Sequence, residues 1–133
     1  MSSRCVRLAT VQETASAITT MVVRGAPLIG VTAAYGVCLA MRRDPRDEAL
    51  SSAFALLLAT RPTAVNLQWP LSAMRDALTG LPPSERADAA YRLATEICDQ
   101  DVATSRAIGE HGLALLQSLF ARRRQPDRIN LLN

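Results

Sequence analysis

The sequence predicts an all-α fold, mainly a helical bundle of about five helices, and three observations carry that prediction. Apolar residues recur at helical spacing along most of the chain, and clusters holding Pro or Gly separate the periodic stretches. Of the 133 residues, 49% are hydrophobic, 20% charged and 4% aromatic, which is the composition of one globular domain able to bury a core.

The elements follow in order. Thr10-Val11-Gln12-Glu13 has the spacing of a capping box, and Val11, Ala15, Ile18 and Val22 then recur on one face. A first helix is expected from Val11 to Val23. Before it, Cys5-Val6-Arg7-Leu8 alternates briefly as a candidate strand that lacks an obvious partner. Pro27 suits the first position of a second helix, since its missing N–H is one that a helix start leaves unpaired anyway. Leu28 to Arg42 is apolar nearly all round and so belongs in the middle of a domain. Its Gly30, Ala33, Ala34 and Gly36 permit close approach by neighbours, which offsets the ~1 kcal/mol that each Gly costs a helix.

Asp44 as N-cap, Pro45 at the first position and Asp47 and Glu48 in the first turn start a third helix that reaches Ala59. Pro62 pushes Arg61 out of the helical region, and Thr63 then caps a fourth helix through Leu78, kinked at Pro70, with Trp69 among its core residues. Thr79-Gly80-Leu81-Pro82-Pro83 ends it, and Ser84 opens a fifth periodic stretch from Glu85 to about Arg124, with Gly109 and Gly112 as weak points. Arg122, Arg123 and Arg124 complement the negative end of that helix. Ile129 to Leu132 reads as the start of a strand. The organisation expected is a helical domain over residues 1–128, with residues 129–133 beginning the first strand of another domain.

Composition also excludes. All fifteen basic residues are Arg, yet Asp and Glu are interspersed with them and the net charge is only +3, which argues against nucleic acid as the partner. No apolar run reaches the ~18 residues of a membrane span, and no secretory leader follows Met1, so no membrane and a cytoplasmic location are expected. Cys5, Cys38 and Cys98 are far apart and His111 is the single histidine, which leaves neither a disulfide framework nor a metal cage. Cys38 and Cys98 are expected in the core. Asp99 and Asp101, two apart on a helix, point in different directions and read as a solvated face.

The chemistry is expected in two loops. Arg24-Gly25-Ala26-Pro27 sets a guanidinium and a permissive Gly before the N-terminus of helix two, where free amides and the helix dipole favour an anion. The same residues also suit a plainer role, with Arg24 on the last carbonyls of helix one and Gly25 as its C-cap. Arg61-Pro62-Thr63 repeats the arrangement at helix four. Two such loops, brought together, would suit a sugar phosphate.

Met21-Val22-Val23-Arg24-Gly25-Ala26-Pro27-Leu28-Ile29-Gly30 with Ala33-Ala34-Tyr35-Gly36 resembles the methylthioribose-1-phosphate isomerase family, which shares its fold with the regulatory subunits of translation initiation factor 2B. Arg61-Pro62-Thr63-Ala64-Val65-Asn66-Leu67 with Trp69, and Asp101-Val102 with Ile108-Gly109-Glu110-His111-Gly112, resemble it in the same order. The resemblance implies a cofactor-independent aldose–ketose isomerase of methionine salvage that converts 5-methylthioribose 1-phosphate to 5-methylthioribulose 1-phosphate. It implies further that this chain is the N-terminal helical part of a two-domain α/β protein, a homodimer whose second domain is Rossmann-like. Arg24, Gly25, Ala26 and Arg61 would then hold the sugar phosphate. The family's catalytic Cys follows a strand resembling Ile129 to Leu132 and its catalytic Asp lies farther on, so neither is expected within this chain, which alone would be inactive. Gln100 and Ser105 depart from the family pattern of Glu and Asn. The alternative is a non-catalytic regulatory or ligand-sensing domain of the initiation-factor type.

Overall fold

A computed structural model describes residues 5–122, and within them the chain forms five α-helices and no strand. These are α1 (Val11–Thr19), α2 (Ala26–Arg43), α3 (Asp47–Thr60), α4 (Val65–Thr79) and α5 (Pro83–Ala121). The described residues up to Cys98 make one compact unit, and those from Asp99 make a second. Cys5 to Leu8 is irregular rather than a strand, in line with the want of a partner strand. The expected strand at Ile129 to Leu132 lies outside the described residues, as do Arg123 and Arg124.

Half of the expected capping box forms at the start of α1: Thr10 is the N-cap, whereas Glu13 reaches past the Thr10 amide to that of Ala9. Thr10 Oγ1 accepts from the Glu13 amide at 3.1 Å, and Glu13 Oε2 accepts from the Ala9 amide at 2.7 Å. The helix stops earlier than periodicity predicts, at Thr19 instead of Val23. Met21 adopts a left-handed φ of 59°, its amide donates back to Ile18 O at 3.3 Å, and the Val23 amide donates to Ala17 O at 3.0 Å. That closure satisfies the last carbonyls of α1 and leaves Val22 exposed rather than on the buried face.

Helix α2 occupies the middle of the first unit, packed against α1, α3 and α4. Ten of its residues are buried, among them Ile29, Val37, Cys38 and Met41. Two glycines set how near its neighbours come. A Cβ on Gly30 would overlap the Asn66 carbonyl oxygen and stand 2.8 Å from Pro70 Cγ, while one on Gly36 would stand 2.8 Å from Thr14 Cγ2. Ile18, Leu57, Leu67, Leu71, Met74 and Leu78 complete the core around it, and Ala90, Ala94 and Ile97 bring the first half of α5 onto the same cluster. Tyr35 of α2 meets Tyr91 of α5 edge to face, with centroids 5.8 Å apart.

Three local expectations are corrected. Asp44 does not cap α3, because Arg46 recruits it: the Arg46 backbone amide donates to Asp44 Oδ1 at 3.1 Å and its guanidinium donates to both carboxylate oxygens. That guanidinium hydrogen bond, more than the amide bond, holds the Asp44 carboxyl down at about 2, and α3 begins at Asp47 with Arg46 as N-cap. Helix α4 is entered from Ala64, not capped by Thr63, and the entry turn is tied down by Gln68 Nε2 donating to Pro62 O at 2.7 Å. Trp69 is 48% exposed, since it sits two residues from Leu67 and so falls off the stripe that Leu67, Leu71, Met74 and Leu78 bury. Cys38 is buried and Cys98 half-buried. Helix α5 runs unbroken through Gly109 and Gly112.

Arg86 at the start of α5 is 3% exposed and makes contacts that sequence reading misses. Its Nε donates to Leu78 O and Leu81 O, both at 3.1 Å, its Nη1 donates to Pro45 O at 2.9 Å, and its Nη2 pairs with Asp47 at 2.6 Å. One planar fork thus joins the end of α4, the α2–α3 connection and the start of α3. Replacing Arg86 by Met is expected to lower stability by about 3 kcal/mol, because buried carbonyls lose their donor, and Lys is expected not to restore it because a point ammonium cannot serve all the acceptors. Urea unfolding of the two variants measures both effects.

From Asp99 onward α5 carries an exposed apolar stripe. Ile108, Leu115 and Leu119, seven and four residues apart, are 68%, 61% and 49% exposed. No helix among the described residues is long and apolar enough to cross a membrane. A stripe of this kind in water favours association, so sedimentation of the 133-residue chain is expected to show a concentration-dependent oligomer that Leu115→Glu with Leu119→Glu returns to monomer.

Candidate functional site

The start of α2 is built around Gly25. Its φ of 97° lies where residues with a Cβ are strained, and nothing lies within 4 Å of where a Cβ would stand. Gly25 is therefore the N-cap of α2 and not the C-cap of α1, whose C-cap is Thr20. The Gly25 carbonyl accepts from the Ile29 amide at 3.1 Å, and Pro27 sits in the first turn with no amide to satisfy. No side chain caps this helix start. Among the described residues the amides of Ala26 and Leu28 have no acceptor, so donors and the positive end of the dipole stand open.

The start of α4 repeats these features. Arg61 and Ala64 close a turn through the Ala64 amide and Arg61 O at 3.0 Å, and Ala64 O then accepts from Leu67 and Gln68. Again no side chain caps the helix, and the amides of Val65 and Asn66 lack acceptors among the described residues. The packing of Asn66 and Pro70 against Gly30 brings this start beside that of α2.

Between the two starts lies a hollow of about 280 Å³, lined by Gly25, Ala26 and Ile29 on one side and by Arg61, Ala64, Val65 and Asn66 on the other. Three of the four residues singled out in the sequence thus share one hollow. Arg24 precedes it and is exposed but is not among its lining residues. The ion pairs among the described residues join Arg46 to Asp44, Arg75 to Asp76 and Arg86 to Asp47, leaving the guanidiniums of Arg24 and Arg61 uncommitted. Chemically the hollow offers unpaired amides, two helix N-termini and one half-buried guanidinium, a set matched to a small oxyanion such as a phosphate. Val65 and Asn66 stand in the family-like run from Arg61 to Leu67, but the sequence assigns them no binding role. Their place at the head of α4 was the available signal.

The other candidates lie elsewhere. His111 and Asp99 are exposed on α5 and Asp101 is half-buried. Among the described residues no three His, Cys, Asp or Glu side chains gather to hold a metal ion. A larger, mostly apolar cavity of about 410 Å³ has Tyr35, Cys38 and Tyr91 in its wall. Burial pushes the Cys38 thiol up to about 12, against a smaller lowering by the hydrogen bond from its own backbone, and the thiol donates to Ala34 O at 3.3 Å, so it is neither a nucleophile nor a ligand near neutral pH.

What these residues build is a helical domain with an oxyanion-suited hollow at two helix starts. Residues 22–121 match the Initiation factor 2 subunit family. The chain is 60% identical over 126 residues to methylthioribose-1-phosphate isomerase of Acidiphilium cryptum, a match covering 95% of this chain and 34% of that protein. It is 54% identical over 127 residues to the enzyme of that name from Rhodospirillum centenum, covering 95% and 33%. Among solved structures, subunit delta of translation initiation factor eIF-2B from A. fulgidus superposes with a TM-score of 0.74 at 36% identity, over 83% of this chain and 34% of that one. The chain belongs to the Initiation factor 2 subunit family. It spans about 34% of the length of the isomerase it matches at 60% identity.

Cys38 yields a direct check. In the folded chain at pH 8, exposed Cys5 is expected to react with a thiol reagent and Cys38 only after denaturation. Because the folded thiol titrates at about 12 and the unfolded one at 9.0, its contribution to stability is complete below pH 9 and is lost as pH rises from there towards 12. Timed labelling with mass readout, and urea midpoints across that range, test both statements.

Proposed function

We propose that this chain is the helical part of a sugar-phosphate aldose–ketose isomerase, converting 5-methylthioribose 1-phosphate to 5-methylthioribulose 1-phosphate in methionine salvage, and that its hollow holds the phosphate. The observation that carries this reading is the meeting of Gly25, Ala26 and Arg61 at two uncapped helix N-termini. The names of the relatives support the same substrate. On this reading the Ala26, Val65 and Asn66 amides share the phosphate charge, Arg61 forks onto it, and Arg24 closes over it from the adjoining turn. The isomerisation moves a hydrogen from C2 to C1 of the sugar and leaves its overall oxidation state unchanged, so it draws on no external oxidant. The groups that move that hydrogen belong to the part of the relatives' length that this chain does not span, and the complete protein acts as a cytoplasmic homodimer with a Rossmann-like second domain.

The likeness to an initiation-factor subunit favours a second reading, in which the same hollow senses a phosphorylated ligand without turnover. Steady-state kinetics of the complete protein on 5-methylthioribose 1-phosphate separates the two. Turnover is expected, with kcat/KM roughly 10- to 100-fold lower in Arg24→Met and in Arg61→Met, the range for losing one charge-assisted hydrogen bond. Unchanged kinetics in the double variant overturns the phosphate assignment, and absence of turnover in the unaltered protein overturns the isomerase reading in favour of the sensor.

A further inference from the structure

The anion hollow has parts on two helices that are remote in sequence, and its geometry depends on how those helices meet. Gly25 and Ala26 open α2, whereas Arg61 and the unpaired amides of Val65 and Asn66 open α4. The two starts meet where the first turn of α4 rests on Gly30. The Asn66 carbonyl oxygen and Pro70 Cγ fill the space that a Cβ on Gly30 would need, and the carbonyl is backbone, so a side chain there cannot be accommodated by turning a rotamer. The Asn66 amide that faces the anion on the proposed reading belongs to the same residue as that carbonyl. We propose that Gly30 is a positioning residue for the anion hollow, setting the distance between the α2 and α4 N-termini through the seat it provides for Asn66. The inference rests on the phosphate reading given above and deepens it: affinity for the anion is controlled from a residue that does not line the hollow.

Gly36 supplies a control. It lies on the same helix, is also buried, and a Cβ there would stand 2.8 Å from Thr14 Cγ2, on the contacts with α1 and α3 and not with α4. Gly30→Ala and Gly36→Ala both force a Cβ into tight contacts of α2, the first against the backbone of α4 and the second against side chains of α1 and α3, so only the first bears on the seat of the hollow. The experiment uses the 133-residue chain, inorganic phosphate as probe, and backbone amide NMR shifts as readout, at a temperature where each variant is fully folded by circular dichroism. In the unliganded chain, Gly30→Ala is expected to shift the amides of Arg61, Ala64 and Val65, which Gly36→Ala leaves in place. In the titration, Gly30→Ala is expected to weaken phosphate roughly tenfold or more, as a sub-ångström to ångström displacement of fixed donors does, while Gly36→Ala keeps the unaltered affinity.

Equal losses of affinity in the two variants, or wild-type affinity in Gly30→Ala, overturn the positioning role. If the unaltered chain shows no saturable response to phosphate, the phosphate reading fails. The unliganded shifts at Arg61, Ala64 and Val65 then decide by themselves whether Gly30 sets the α2–α4 geometry. If Gly30→Ala does not fold, Pro70→Ala, which trims the same seat from the α4 side, is expected to move those amides and to weaken phosphate, and its failure to do either overturns the inference.

Discussion

The close seating of neighbours on α2 is the constraint from which the rest of the first unit follows. A helix packed against three others must be thin where they press, and α2 has Gly30 under the backbone of α4 and Gly36 under Thr14 of α1, with Ala33 and Ala34 between them. Each glycine costs the helix about 1 kcal/mol in intrinsic propensity, an amount smaller than what burying a single large apolar side chain returns. Leu67, Leu71 and Met74 of α4 are fully buried, which requires α4 to lie close. The thin stretch of α2 is thus compatible with both the core and the hollow at its head.

Arg86 acts on the other side of the same arrangement. Buried arginines are costly unless their nitrogens find acceptors, and here three backbone carbonyls and Asp47 supply at least one to each guanidinium nitrogen. Its acceptors come from the end of α4, the connection beyond it and the α2–α3 turn, so the clamp fixes the far ends of helices whose near ends form the hollow. Seating at Gly30 and clamping at Arg86 restrain α4 at its two ends. Between these two restraints the start of α4 carries no side-chain cap, and its first amides have no acceptor among the described residues.

Periodicity made most of this legible before any coordinates. Five helices, the N-cap at Thr10, the central place of α2 and the two basic loops all follow from spacing and from where Pro and Gly fall, because those are local properties of the chain. What spacing could not show is tertiary. Asp44 reads as an N-cap until Arg46 takes its carboxylate, Trp69 reads as core until the stripe of α4 is seen to pass beside it, and α1 ends on a left-handed Met21 where no glycine marks a stop. Arg86 gave no local sign, since an arginine in a first helical turn is ordinarily solvated. The loops at Arg24 and Arg61 were each visible, whereas their meeting depends on a glycine contact between residues 36 positions apart.

The hollow between the two helix starts is open to water. Gly25, Ala26, Val65 and Asn66 are exposed and Arg61 is half-buried, so an anion there keeps much of its hydration. Fixed amides and a guanidinium then orient the anion more than they stabilise it, because charges that share a site with water interact weakly. Strong stabilisation of a developing charge requires that water be displaced by a second surface. A floor of two helix starts lends position, and a covering surface lends dryness. Relatives named as isomerases and a relative named as an initiation-factor subunit share this helical part with the chain, and a shared fold does not by itself fix function.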